Sequence, residues 1–145
     1  MTTTKEPAQK PAEKIKFATG KRKKAVAKAR LKEGTGRFSI NSIPFSNFQN
    51  RMNRLVIEEP LILVGDAWKT FDIDVTVSGG GPVGQAQAIR QAIARCLSQA
   101  LGAEIKKTFL NYDRKMLTYD PRRTEPHKPS RSSQGPRKHK QRSKR

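Results

Sequence analysis

The chain has 145 residues, of which 31 are Lys or Arg and 12 are Asp or Glu, for a formal net charge of +19. That length allows one modest core, and that charge points away from a neutral carrier or enzyme and toward nucleic acid or an anionic surface. A single cysteine, Cys96, excludes an intramolecular disulfide and fits a reducing compartment, and no apolar run has the length of a signal peptide or membrane span.

The charge is unevenly placed. Residues 1–40 hold twelve Lys or Arg against three Glu, residues 41–120 hold nine against eight acids, and residues 121–145 hold ten against Glu125 alone. A nearly neutral middle between two basic ends describes a folded body with two cationic arms. The expected division is a disordered leader over residues 1–13, an α+β body over 14–120 and an extended tail over 121–145. The tail has four prolines, five serines and threonines and no large apolar residue. Such a segment has nothing to offset its ordering entropy and takes its shape from a partner.

In chain order, Lys21-Arg22-Lys23-Lys24 leads into a stretch in which Ala25, Ala27, Ala29 and Leu31 alternate with Val26, Lys28 and Arg30. The alternation predicts a strand that buries its alanines and turns Lys28 and Arg30 outward. Glu33-Gly34-Thr35-Gly36 reads as a turn into the β-prone Arg37-Phe38-Ser39-Ile40, which predicts a hairpin. Ser42 reads as a helix cap ahead of Pro44, with a short helix through Phe48. Met52, Leu55 and Val56 begin a helix interrupted or restarted at Pro60 and stopped by Gly65.

Phe71, Ile73, Val75 and Val77 alternate with Asp72, Asp74 and Thr76 in the clearest strand of the chain. A glycine loop follows, Gly79-Gly80-Gly81-Pro82-Val83-Gly84, and then a helix from Pro82 to about residue 101. Ala86, Ile89, Ile93, Cys96, Leu97, Ala100 and Leu101 share one arc of it, with Gln87, Gln91, Arg95, Ser98 and Gln99 opposite. Gly102 stops this helix, and a second short one is expected over residues 104–110.

Strand, glycine loop and helix is the order found in phosphate-binding loops, yet no Lys-Ser or Lys-Thr pair follows and no acid stands where a ribose would need it. The glycines therefore serve a tight turn and close backbone approach, and the backbone of Gly79, Gly80 and Gly81 at the helix start suits a single RNA phosphate. His127 and His139 lie in the tail without a fixed partner, which argues against acid–base catalysis, and one cysteine with two distant histidines makes no closed zinc site. No cofactor is expected. The one-sign clusters are the functional signal: Lys21, Arg22, Lys23, Lys24, Lys28 and Arg30 near the start, and Arg122, Arg123, Lys128, Arg131, Arg137, Lys138, Lys140, Arg142, Lys144 and Arg145 in the tail. Arginine forks on a proline-extended chain suit the narrow spaces of structured RNA better than the open grooves of DNA.

Three segments carry a resemblance to a known family. They are Thr19-Gly20-Lys21-Arg22-Lys23-Lys24-Ala25 with its continuation to Leu31, Gly79-Gly80-Gly81-Pro82-Val83-Gly84-Gln85-Ala86 with Arg95, and Gln141-Arg142-Ser143-Lys144-Arg145. In this order the chain resembles the family of the ninth small-subunit ribosomal protein, in its archaeal form. The resemblance implies an α+β fold with a mixed sheet covered by helices in a split β-α-β arrangement, no enzymatic activity, and a place in the cytoplasmic ribosome. It implies 16S ribosomal RNA, peptidyl-site transfer RNA and neighbouring head proteins as partners, with no membrane. It also implies that Arg122, Arg123 and Lys128 anchor the tail in ribosomal RNA, with Arg95 among the RNA-binding residues, while Arg142, Ser143, Lys144 and Arg145 meet transfer RNA. His127, Cys96 and Ser130-Arg131-Ser132-Ser133-Gln134 depart from the family pattern.

Overall fold

The computed structural model describes residues 15–48 and 50–124. Five strands form one sheet: β1 Lys16–Arg22, β2 Ala25–Glu33, β3 Phe38–Ile40, β4 Ile43–Pro44 and β5 Phe71–Ser78, in the spatial order β1-β2-β5-β3-β4. All pairs are antiparallel except β3 with β5, which is parallel. Three helices, α1 Arg51–Val64, α2 Pro82–Leu101 and α3 Ala103–Tyr112, complete the expected α+β architecture.

The alternation predicted for β2 is realised. Ala25, Ala27, Ala29 and Leu31 are buried, while Lys28 and Arg30 are exposed. Ile73, Val75 and Val77 of β5 share the buried face, and α2 covers it with Ala88, Ile89, Ala92, Ile93, Cys96 and Leu97. Small residues on both sides let α2 lie close to the sheet, so the core relies on close packing of alanines more than on bulk. Burial pushes the Cys96 thiol up to about 11, as an inert core residue requires.

The expected hairpin between residues 25–31 and 37–40 does not form. β2 instead turns back onto β1, an unforeseen strand, through Lys23, whose φ of 54° closes the turn. β3 lies beyond β5, with Phe38 opposite Ile73 and Ile40 opposite Val75. The loop between β2 and β3 is drawn around the end of β5 by Asp72, whose Oδ1 accepts from the backbone N–H of Thr35 at 2.8 Å and of Arg37 at 2.9 Å. Gly34 N–H also donates to Thr70 O at 2.9 Å. Local turn chemistry was therefore overridden by hydrogen bonds to a strand more than thirty residues away.

Those same bonds, that from Arg37 first, hold the Asp72 carboxyl below its usual range. A depressed carboxylate contributes stability above its unfolded value, near pH 4, and loses it as pH falls through the folded value. The Thr35 and Arg37 amide resonances are accordingly expected to shift upfield together in an NMR titration below about pH 4, and to show the same shift at neutral pH in Asp72→Asn. Amide positions independent of Asp72 protonation would contradict the assignment.

Ser42 is not a helix cap. It and Asn41 have φ of 66° and 49° and form the two-residue turn of the β3–β4 hairpin, the positive angles such a turn needs. The short helix expected to follow is a single 3-10 turn, Phe45–Asn47, without a side-chain cap. The cap of α1 is Asn50, whose side chain accepts from Met52 N–H at 3.1 Å and Asn53 N–H at 3.3 Å. Nor is α1 interrupted: Pro60 sits inside it, buried between Ile57 and Leu61. Its lost backbone bond is offset by the apolar surface it buries. Gly65 ends α1 and Gly102 ends α2, as expected.

Candidate nucleic-acid interface

The β1–β2 turn and the glycine loop meet at the start of α2. Gly79 and Gly80 have φ of 74° and 66°. A Cβ on Gly79 would stand 2.6 Å from Lys24 O, and one on Gly80 would stand 2.9 Å from the Ala25 backbone nitrogen. Glycine is thus needed at both positions for conformation and for contact, because the loop lies directly against Lys24 and Ala25. This is the close approach expected of the glycines, and it is made to the protein's own basic turn.

The result is an open cleft of about 660 Å³ lined by Arg22, Lys23, Lys24, the segment Gly80-Gly81-Pro82-Val83-Gly84, and Thr124. Lys23 and Lys24 are exposed at its rim. Pro82 occupies the first turn of the twenty-residue α2, and no side chain caps the helix start at Gly81. The positive end of the helix dipole and the two lysines therefore face the same space. Thr124 brings the beginning of the basic tail to it, so clusters about one hundred residues apart in sequence share one rim.

The other predicted residues are distributed differently. Lys21 and Arg22 end β1 half-buried, and Arg22 is fixed by Gln87 Oε1 at 2.8 Å and Asp120 Oδ2 at 2.9 Å. Lys28 and Arg30 project from the sheet face opposite the helices, across from Thr76 and Asp74, and form a separate basic strip. Arg122 and Arg123 are exposed. Arg122 is held by Asp120, and Arg123 donates to the Tyr119 hydroxyl at 2.9 Å. Arg95 stands apart from the cleft: its guanidinium turns inward and donates to Thr19 O at 2.7 Å and Leu117 O at 2.8 Å. Burial lowers its pKa from the ordinary arginine value, though an arginine stays charged. Lys128, Arg131, Arg137, Lys138, Lys140, Arg142, Ser143, Lys144 and Arg145 lie outside the described residues.

Sequence reasoning missed the acids that organise this end of the molecule. Beside the cleft, a smaller polar hollow of about 250 Å³ is lined in part by Lys21, Arg22, Arg90, Gln91, Asp113 and Asp120. Its arginines are paired: Arg90 with Glu59 and, at 3.0 Å, with Asp113, and Arg22 with Asp120. Acids line this hollow and pair its arginines, whereas in the open cleft Lys23 and Lys24 have no acid among the lining residues. Only the Asp120-Pro121-Arg122 sequence hinted at such an arrangement, as an acid two residues before an arginine. Gln91 was expected on the solvent arc of α2 and is instead 5% exposed.

The model of the ribosomal protein S9/S16 family matches residues 20–145. The chain belongs to this ribosomal protein family. Small ribosomal subunit protein uS9 of Methanococcus maripaludis is 44% identical over 131 residues, covering 90% of this chain and 98% of that protein. The uS9 protein of Desulfurococcus amylolyticus is 48% identical over 116 residues, covering 79% of this chain and 83% of its own. The S9 family match begins at Gly20, inside β1, and takes in the β1–β2 turn, the glycine loop and the whole basic tail. Among the described residues, no helix is long and apolar enough to cross a membrane.

Proposed function

We propose that this chain is a structural protein of the small ribosomal subunit that binds 16S ribosomal RNA of the head and sends its C-terminal tail toward peptidyl-site transfer RNA. The division into leader 1–13, body 14–120 and tail 121–145 belongs to this reading. The observation that carries it is the shared rim of the cleft, where Lys23, Lys24, the start of α2 and Thr124 stand together. A phosphate in that cleft meets two mobile cations and a helix N-terminus, and needs no base-specific contact. At Gly81, where a Cβ would meet nothing within 4 Å, the bare backbone leaves room for a phosphate to approach closely. Lys28 and Arg30, on the open sheet face, serve a second RNA segment and not the same phosphate. Arg122 and Arg123 set the tail's entry into ribosomal RNA, with Lys128, Arg131, Arg137, Lys138 and Lys140 continuing it.

At the tip, Arg142, Ser143, Lys144 and Arg145 are assigned to transfer RNA; three of these four residues are cationic, and the family match runs through Arg145. Deleting residues 143–145 removes two cations. It is expected to weaken peptidyl-site transfer RNA binding by about tenfold while subunit assembly proceeds normally. Filter binding of transfer RNA to reconstituted small subunits measures this, and an affinity equal to that of the full-length chain would refute the assignment of the tip.

A further inference from the structure

Gln91 and Arg95 lie one helical turn apart on α2, and both reach across to the same two pieces of chain. Gln91 Oε1 accepts from Lys21 N–H at 2.9 Å, while its Nε2 donates to Thr118 O at 2.7 Å. Arg95 donates to Thr19 O and to Leu117 O. β1 is an edge strand, so Thr19 O and Lys21 N–H are the polar groups its pairing with β2 leaves outward. Two side chains of α2 thus satisfy the free edge of β1 and tie the segment after α3 along it. Met116, fully buried, pins the near end of that segment.

Asp120 closes the far end. Its Oδ2 pairs with Arg22 Nη1 at 2.9 Å and Arg122 Nη2 at 2.7 Å, and its Oδ1 accepts from the Arg122 backbone N–H at 3.0 Å. The Asp120 side chain is 10% exposed and that of Arg22 is 18% exposed, so this is a sheltered pair joining β1 to the root of the tail. From there the chain needs four residues to reach Thr124 at the cleft.

We propose that Gln91, Arg95 and Asp120 are positioning residues that latch residues 117–122 onto the edge of β1 and thereby aim the basic tail past the glycine-loop cleft. None of the three touches RNA in this scheme. The proposal rests on the reading of the tail as an RNA-binding arm, and it supplies what that reading lacks, a defined point and direction of departure. It also gives Arg95 a role: its charge serves backbone carbonyls and not phosphate. Preorganising the root lowers the entropy lost when the arm binds.

The test is performed on the free full-length protein, without RNA. Val83 and Thr124 line the same cleft, so Val83→Cys with Thr124→Cys is expected to be joined by a short bis-maleimide, and the buried Cys96 thiol stays unreactive near neutral pH. Adding Gln91→Leu leaves Lys21 N–H and Thr118 O without their partner and is expected to slow cross-linking about tenfold. Adding Asp120→Asn takes the carboxylate from the sheltered Arg22 and is expected to slow it about threefold, with a modest loss in thermal midpoint. Should Gln91→Leu not fold, the Asp120→Asn result decides. Cross-linking at the parent rate in the folded latch variants would overturn the proposal and leave the RNA reading standing. A failure of the cleft to bind RNA would leave the cross-linking result untouched.

Discussion

Gly20→Ala is expected to be the most damaging single methyl in the body. Gly20 lies in β1 on the face toward α2, and a Cβ there would stand 2.1 Å from Ala88 O and 2.7 Å from the Ala92 backbone nitrogen. Both neighbours are helix backbone and cannot rotate away. α2 must therefore lift from β1, and it is the same helix that covers Ala25, Ala27 and Ala29. Overpacking of this kind costs about 3 kcal/mol, at the upper end for one inserted methyl because no side chain can yield. For a body of this size that corresponds to a loss of roughly 10–20 °C in thermal midpoint by calorimetry or circular dichroism. Gly81→Ala is the matched control: nothing lies within 4 Å of its Cβ and its φ is −105°. Its midpoint is expected to stay within about 2 °C of the parent, as for a neutral surface change. Equal midpoints for the two variants would mean that α2 does not rest on β1 as described.

The second large effect is on RNA. Lys23→Gln, Lys24→Gln and Arg123→Gln together remove the two lysines that line the cleft and the arginine next to Thr124 in sequence, while keeping hydrogen-bonding side chains. Among the described residues, Lys23 and Lys24 have no hydrogen-bonded or ion-paired side-chain partner, and the Arg123 guanidinium meets the Tyr119 hydroxyl alone. All three residues are exposed, so the fold is expected to survive unchanged. Affinity for a 16S head-domain RNA fragment is expected to fall about 30- to 100-fold near 0.15 M salt, from the loss of charge-assisted phosphate contacts. The matching substitution of Lys106, Lys107 and Lys115, which line no part of the open cleft, is expected to cost far less. Fluorescence anisotropy with a labelled fragment measures both, and similar losses in the two triple variants would show that total charge, and not the cleft, governs binding.

Much of the fold is written locally. β5 alternates cleanly because its strongly apolar residues face the core and its acids face water, and α2 carries Pro82 and Gly102 as punctuation at its two ends. β1 is harder to read for a physical reason. Its buried residues are Ala18 and Gly20, while Phe17 is 51% exposed, so the hydrophobic pattern is inverted relative to burial. The small residues are there to admit α2, and that requirement is invisible until α2 is in place. Likewise nothing local places β3 beyond β5. That topology depends on Asp72 drawing in Thr35 and Arg37.

The candidate site divides in the same way. The basic clusters and the glycine loop are legible as residue types, since one-sign runs and consecutive glycines are conspicuous in any sequence. Their convergence is a property of the sheet order, which sets the β1–β2 turn against the loop after β5. Gln91 and Asp120 escaped notice because a glutamine on a helix and an aspartate before a proline are ordinary surface choices. Only their partners, Lys21 and Thr118 for the one and Arg22 and Arg122 for the other, show them at work in the interior.

The central claim is that the cleft between the β1–β2 turn and the glycine loop receives RNA phosphate. The most direct measurement is the salt dependence of binding to the head-domain fragment for the parent and the Lys23, Lys24 and Arg123 triple variant. Each phosphate neutralised adds about 0.7 to 0.9 to the log–log slope, so the variant's slope is expected to be shallower by roughly two. Parallel lines of equal slope would contradict the claim, because the three cations would then release no counterions on binding.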